Sequence, residues 1–171
     1  PTAHGLTGER ALTLLTGPIG RVDPISLRQL RRALRRADMD GPPTEFGDLL
    51  VAVLSSGGPV RLSPTQARPL RRLRAVLQDA ARSHARGEDP RDIVWAAWQR
   101  SGLQRRWLAT SERGGPASAQ AGRDLDAVTA LFDVAEQYVT RTSGASLRGL
   151  VDHVRAMAIP STGRDDGHPD D

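Results

Sequence analysis

The chain has 171 residues, a formal charge of +4 and 24 basic side chains, every one of them arginine; lysine, asparagine and cysteine are absent. Without lysine it cannot contain a Gly-x-x-x-x-Gly-Lys-Ser/Thr phosphate loop or form a Schiff base, and without cysteine it has no thiol nucleophile, disulfide or zinc–thiolate centre. The length fits one domain with a sizeable core.

Charge is unevenly spread. Residues 1–90 hold 14 arginines against 9 acids, residues 91–160 hold 9 against 7, and residues 161–171 hold one arginine and four aspartates. A basic half fits a polyanionic partner, because guanidinium forks onto phosphate; a GC-rich genome produces the same bias. The longest apolar runs, 49–54 and 93–98, are too short to cross a bilayer. No secretory leader is visible, and a cysteine-free chain fits a cytoplasmic location with no membrane partner. The start at Pro1 and the acidic end suggest a processed chain or a fragment. The helical domain is expected over 1–160, with 161–171 a disordered linker or tail.

In chain order, a short helix over 10–16 ends at Gly17-Pro18. Asp23-Pro24 is a strong start signal, aspartate capping and proline opening the first turn. The helix that follows runs to about residue 37. Leu27, Leu30, Leu34 and Ala37 form its buried stripe, with Arg28, Arg31, Arg32, Arg35 and Arg36 on the other faces. Thr44 is expected to cap a third helix, burying Phe46, Leu49, Leu50, Val53 and Leu54 and ending at Gly57-Gly58. A fourth, over about 68–85, carries Leu70, Leu73, Val76, Leu77, Ala80 and Ala81 at bundle spacing and ends at Gly87.

Asp89-Pro90-Arg91-Asp92 reads as a carboxylate capping box opening a helix with Val94, Trp95 and Trp98, which Gly102 ends. A short basic helix over 103–110 carries Arg105, Arg106 and Trp107. After a Gly- and Pro-rich loop, a long helix over 119–140 is expected to bury Leu125, Val128, Leu131, Phe132, Ala135 and Tyr138. A last helix, 145–157, buries Leu147, Leu150, Val151 and Val154. No strand alternation and no fixed-period repeat occur. The expected fold is all-α, an irregular bundle of about seven or eight helices.

No catalytic constellation is present. His4, His84, His153 and His168 never pair at metal-ligand spacing, and there is no His-Glu-x-x-His or Gly-x-Ser-x-Gly. Asp124 and Asp126 stand two apart and point different ways on a helix. Asp165, Asp166, Asp170 and Asp171 form an acidic tail. Trp95 and Trp98, three apart with Val94, read as core; Trp107 is the tryptophan expected to stay partly exposed. The stretch 15–24 is the most suggestive: a helix ends, a Gly/Pro turn follows, and a new helix opens beside arginines. Its amide N–H groups can hold a phosphate, with Arg21, Arg28, Arg31 and Arg32 extending the contact along a duplex. An αα-corner with solvated arginines fits the same residues.

Leu14-Leu15-Thr16-Gly17-Pro18-Ile19-Gly20-Arg21-Val22-Asp23 with Leu27-Arg28-Gln29-Leu30-Arg31-Arg32, then Ile93-Val94-Trp95-Ala96-Ala97-Trp98, Trp107, Arg123-Asp124-Leu125-Asp126 and Leu150-Val151-Asp152-His153-Val154, together resemble a known pattern. It is that of the accessory 2B region of UvrD/Rep-type superfamily 1 DNA helicases, closest to actinobacterial AdnA/AdnB-like helicase–nuclease subunits. The resemblance spans about residues 9–160. It implies an all-helical insertion in the second motor lobe that touches duplex DNA ahead of the fork and biases unwinding in DNA repair. In the relatives a Pro-x-x-Gly-Ile-Gly turn makes the duplex contact. Here Gly17-Pro18-Ile19-Gly20-Arg21 keeps the turn but departs from Gly-Ile-Gly.

The resemblance implies DNA contacts at Gly17, Gly20, Arg21, Arg28, Arg31 and Arg32. ATP and Mg would belong to the parent's motor lobes, and no cofactor is expected in this chain, which is not catalytic alone. The alternative is a module holding a helicase–nuclease heterodimer together through Arg105, Arg106 and Trp107. A helix-turn-helix regulator placing the Asp23 helix in a major groove is a third.

Overall fold

The computed structural model describes residues 5–38, 44–57 and 61–158. They form eight helices and no strand: α1 Gly8–Thr16, α2 Pro24–Ala37, α3 Phe46–Ser56, α4 Pro64–Ala85, α5 Pro90–Ser101, α6 Leu103–Ser111, α7 Pro116–Arg141 and α8 Leu147–Ala158. The chain is therefore all-α, an irregular bundle. The acidic tail and both terminal histidines lie outside the described residues, as do Gly58 and residues 159–171.

Local chemistry sets most boundaries. The Asp23 side chain accepts from the amides of Ile25 and Ser26, and Pro24 opens α2. At α5, Asp89 accepts from the Asp92 amide at 3.1 Å, with Pro90 behind it, and Gly102 closes the helix in the left-handed region. Three starts differ from expectation. Helix α4 begins at Pro64, because Ser63 and Gln66 form a reciprocal capping box; Pro69, a costly residue inside a helix, hides that start in the sequence. The N-cap position of α3 is Glu45, one residue after the expected Thr44, and the Glu45 side chain makes no cap hydrogen bond. Helix α7 starts at Pro116, a first-turn proline inside what reads as a loop. Ser63→Ala should lower stability by about 1 kcal/mol, seen as a lower urea midpoint.

The principal core joins the first four helices. Ala11 and Leu15 of α1, Val22, Leu30 and Leu34, Phe46, Leu50 and Leu54 of α3, and Leu70 and Leu73 of α4 form one buried cluster. Burying such a leucine contributes roughly 1.5–3 kcal/mol. Helices α1 and α3 meet backbone to backbone: a Cβ on Gly8 would lie 2.6 Å from the Cα of Gly47. On α2, Ala33 takes the buried place expected for Ala37, which is exposed, and Leu27 is half-buried.

Helix α5 folds back on α4. The corner is held by Glu88, which accepts from the hydroxyl of fully buried Ser83 and meets Arg86 at 2.6 Å, while Arg100 reaches Asp79 of α4 at 3.2 Å. Arg91 ties α5 to Glu136 of α7 at 2.6 Å. Helix α6 packs on α7, and α8 rests against α5 and α7. This half is thinly buried. On α7 only Ala121 and Ala135 are fully buried, whereas Leu125, Val128, Leu131, Phe132 and Tyr138 are half-buried; on α8 only Leu150 is buried.

Candidate nucleic-acid interface

The 17–23 turn is wound tightly onto α1. The amides of Gly17, Gly20, Arg21 and Val22 donate to the carbonyls of Thr13, Leu14, Gly17 and Leu15 at 2.9, 3.2, 2.8 and 3.1 Å. Gly20 is buried, and a Cβ there would sit 2.6 Å from the Cα of Leu15, so backbone crosses backbone where no side chain fits. Arg21 is the one non-glycine residue with positive φ among the described residues, at 57°. The left-handed conformation costs an L-residue about 1–2 kcal/mol, and it persists where surrounding structure imposes it.

The amides of Gly17 and Gly20, expected from the sequence to face a phosphate, are hydrogen-bonded within the protein, and most of those that follow are engaged too. Pro24 has no N–H, the amides of Ile25 and Ser26 go to Asp23 Oδ1 at 2.9 and 3.0 Å, and that of Leu27 goes to the Asp23 carbonyl at 2.8 Å. The four turn amides named above face α1 or the turn itself. A carboxylate already occupies the start of α2, satisfied further by the Ser26 hydroxyl at 2.6 Å. The amides of Gly17, Gly20, Arg21, Val22, Ile25, Ser26 and Leu27 thus all have protein partners.

The Ser26 hydroxyl first, and then the backbone amides, hold the Asp23 carboxyl below its ordinary pKa. A depressed carboxylate adds stability that is fully present above its unfolded value, near 3.9, and lost as pH falls through the lower folded value. Asp23→Ala should therefore flatten the acid limb of a Tm-against-pH curve below about pH 4 and leave its shape near neutrality unchanged.

The expected site residues divide into two groups. Gly17, Gly20 and Arg21 sit in the turn. Arg28, Arg31 and Arg32 are exposed on α2, and none pairs with a carboxylate among the described residues. Arg31 is laid over the Phe46 ring at 4.8 Å, a cation–π contact that fixes it to α3. Of the three residues expected to meet a partner, Arg105 and Arg106 are exposed on α6, and Arg106 and Trp107 line a cleft with the turn. That cleft, about 530 Å³, is also bounded by Thr16, Pro18, Asp23 and Asp124. Trp107 is half-buried against Trp98, ring centroids 5.6 Å apart.

An arginine that the sequence did not single out reaches the turn from α4. Arg72 of α4 donates to the Ile19 carbonyl at 3.1 Å, and Arg68 stands one helical turn before it. Burial and then the charges of Arg72, Arg106 and Arg68 hold Arg21 below its ordinary pKa; burial and then Arg68 and Arg106 do the same to Arg72. The available signal was the i, i+4 spacing of Arg68 and Arg72, invisible as a site until α4 was seen to pass the turn.

Trp95 corrects the reading of the tryptophans as core: it is 48% exposed, edge-on to Phe132 at 5.3 Å. Trp98 is half-buried beside a small apolar pocket of about 180 Å³ that Ile19, Leu103, Val128 and Leu131 also line. His153 stacks on Tyr138, and Asp124 accepts from Gln120 at 2.8 Å, so both have structural contacts. Among the described residues no group of three or more acidic or histidine side chains is placed to hold a metal ion, and no helix is long and apolar enough to cross a membrane. Neither a protein-family model nor a curated protein matches the chain.

Proposed function

We propose that the chain is a 2B-type accessory domain of a UvrD/Rep-type superfamily 1 DNA helicase of the actinobacterial AdnA/AdnB-like kind. It would position duplex DNA and bias the motor in DNA repair. The observation that carries this reading is the turn followed by α2: Arg28, Arg31 and Arg32 are exposed, with no carboxylate partner among the described residues, directly after a backbone-crossed turn. Guanidinium groups without a carboxylate partner along one helix suit successive phosphates, which fix position without reading sequence. The domain is cytoplasmic in this reading and does no chemistry alone; ATP and Mg act in the parent's motor lobes, which are its other partners.

A second reading, a module joining a helicase–nuclease heterodimer, is favoured by α6, where Arg105 is exposed and Leu108 is 45% exposed. One experiment separates them. In the parent protein, Arg28→Ala with Arg32→Ala should weaken fork binding about tenfold at 0.1 M salt while the subunits stay associated. Unchanged fork binding, with dissociation on Leu108→Asp, favours the interaction module and sinks the DNA contact.

A further inference from the structure

We infer that the groove between α5 and α7 is a docking seat for an arginine side chain presented by a partner protein, with Trp95 as its platform and Asp133 and Glu136 as its acceptors. The inference goes beyond the DNA contact proposed above and does not depend on it.

One face of each helix builds the groove. On α5, Trp95 follows Asp92 by three residues and Arg91 by four; on α7, Glu136 follows Asp133 by three and Phe132 by four. Those spacings bring each set onto one side of its helix. Together they line a groove of about 500 Å³.

An aromatic pair lies uncovered in it. Trp95 packs edge-on against Phe132, ring centroids 5.3 Å apart, yet stays 48% exposed. Leaving half of an indole in water forgoes burial that a core position would gain. Phe132 braces the ring, which lowers the ordering cost of binding on it.

Charge selects the occupant. Asp92, Asp133 and Glu136 line the groove against the one guanidinium of Arg91, leaving two negative charges uncompensated on a chain whose net charge is +4. Two other clefts differ. The one at the turn sets Arg21 and Arg106 against Asp23 and Asp124, and the one beside the start of α4 carries Arg36 and Arg61 with no acid. An acidic groove repels the phosphates of nucleic acid and of an anionic membrane, and attracts a cationic protein segment.

A guanidinium already rests against these acids. Arg91 donates to Glu136 Oε2 at 2.6 Å and lies 3.7 Å from Asp92. Asp133 makes no hydrogen bond or ion pair among the described residues, so both of its oxygens are open to a second guanidinium. Arginine fits here better than lysine. Its flat group stacks on an indole face while its edge forks onto a carboxylate, whereas an ammonium is a strongly hydrated point charge.

The test titrates the full chain into a fluorescein-labelled Gly-Ser-Arg-Gly-Arg-Gly-Ser peptide, and into its counterpart with lysine in both arginine places, followed by fluorescence anisotropy at about 0.1 M salt. The net positive charge of the chain disfavours unspecific capture of either peptide. The arginine peptide should bind about fivefold more tightly than the lysine peptide. Trp95→Ala and Asp133→Asn should each weaken it about fivefold, and Trp95→Phe, which keeps an aromatic platform, should retain most of the affinity. Asp126→Asn makes the same charge change at an exposed position of α7 outside the groove and should leave binding unchanged. Asp133 is exposed, so Asp133→Asn should keep its helical circular dichroism and decides the matter if Trp95→Ala does not fold.

No binding of the arginine peptide overturns the proposal. Equal losses for Asp133→Asn and Asp126→Asn overturn the groove as the site. Affinity untouched by a folded Trp95→Ala variant overturns the aromatic platform, and equal affinity for the two peptides overturns the assignment to arginine.

Discussion

Gly20→Ala is expected to destabilise the chain by about 3 kcal/mol, near the upper end for an inserted methyl group. The new Cβ would lie 2.6 Å from the Leu15 Cα and meet the Leu15 carbonyl, backbone atoms that cannot swing aside as a side chain can. The turn would have to lift from α1, breaking the bonds from Gly20 to Leu14 and from Val22 to Leu15. The damage should reach beyond stability. The Ile19 carbonyl that holds Arg72 and the strained backbone of Arg21 both move with the turn, so duplex affinity should fall even at a temperature where the variant remains folded. Gly122→Ala is the control. Nothing lies within 4 Å of a Cβ there, inside α7, and it should raise stability by about 0.5–1 kcal/mol. Urea denaturation of the two variants measures both numbers.

The second large effect separates the two halves of the bundle. Leu50 is fully buried among α1, α2, α3 and α4, and Leu50→Ala should cost about 3 kcal/mol, since the deleted methyl groups leave a cavity in a closed cluster. Leu131→Ala should cost about 1 kcal/mol. Leu131 is only partly buried and borders a small apolar pocket, so its truncation removes less buried surface than that of Leu50. Equal losses at the two positions would show that the α5–α8 half buries more than its surface indicates. The difference also bears on the function proposed. A half that leaves Trp95, Leu108, Val151 and Met157 between 40% and 61% exposed has apolar surface to offer a neighbouring lobe or subunit.

The helices were legible because their ends carry strong local signals. Asp23-Pro24, Asp89-Pro90, Gly57, Gly87 and Gly102 act through backbone geometry within a few residues, which sequence exposes directly. The starts of α4 and α7 were harder. Each begins at a proline, and in α4 a second proline three residues beyond Gln66 makes the true first turn look like a loop.

The site was legible only in part. The turn and its arginines stood out, but the use of its amides depended on Asp23, which reads equally well as the cap that makes a phosphate site and as the cap that fills it. Arg68 and Arg72 lie about fifty residues along the chain from the turn, and Arg106 about eighty-five. That Arg72 meets the Ile19 carbonyl, and that Arg106 lines a cleft with the turn, depends on how α4 and α6 pack, which no local pattern encodes. The tryptophans fail for a related reason: spacing of three identifies a common helix face, but how much of that face is covered depends on α7, and α7 leaves Trp95 open.

The most direct test of the central claim, that this domain grips duplex DNA through arginine–phosphate contacts, is the affinity of the chain for a 20-base-pair duplex measured against salt. A contact of several phosphates predicts log affinity falling linearly with log salt, with a slope of about −0.9 for each phosphate neutralised, and the same affinity for duplexes of unrelated sequence. Binding that is absent at 50 mM salt, or that changes little with salt while discriminating between sequences, would contradict it.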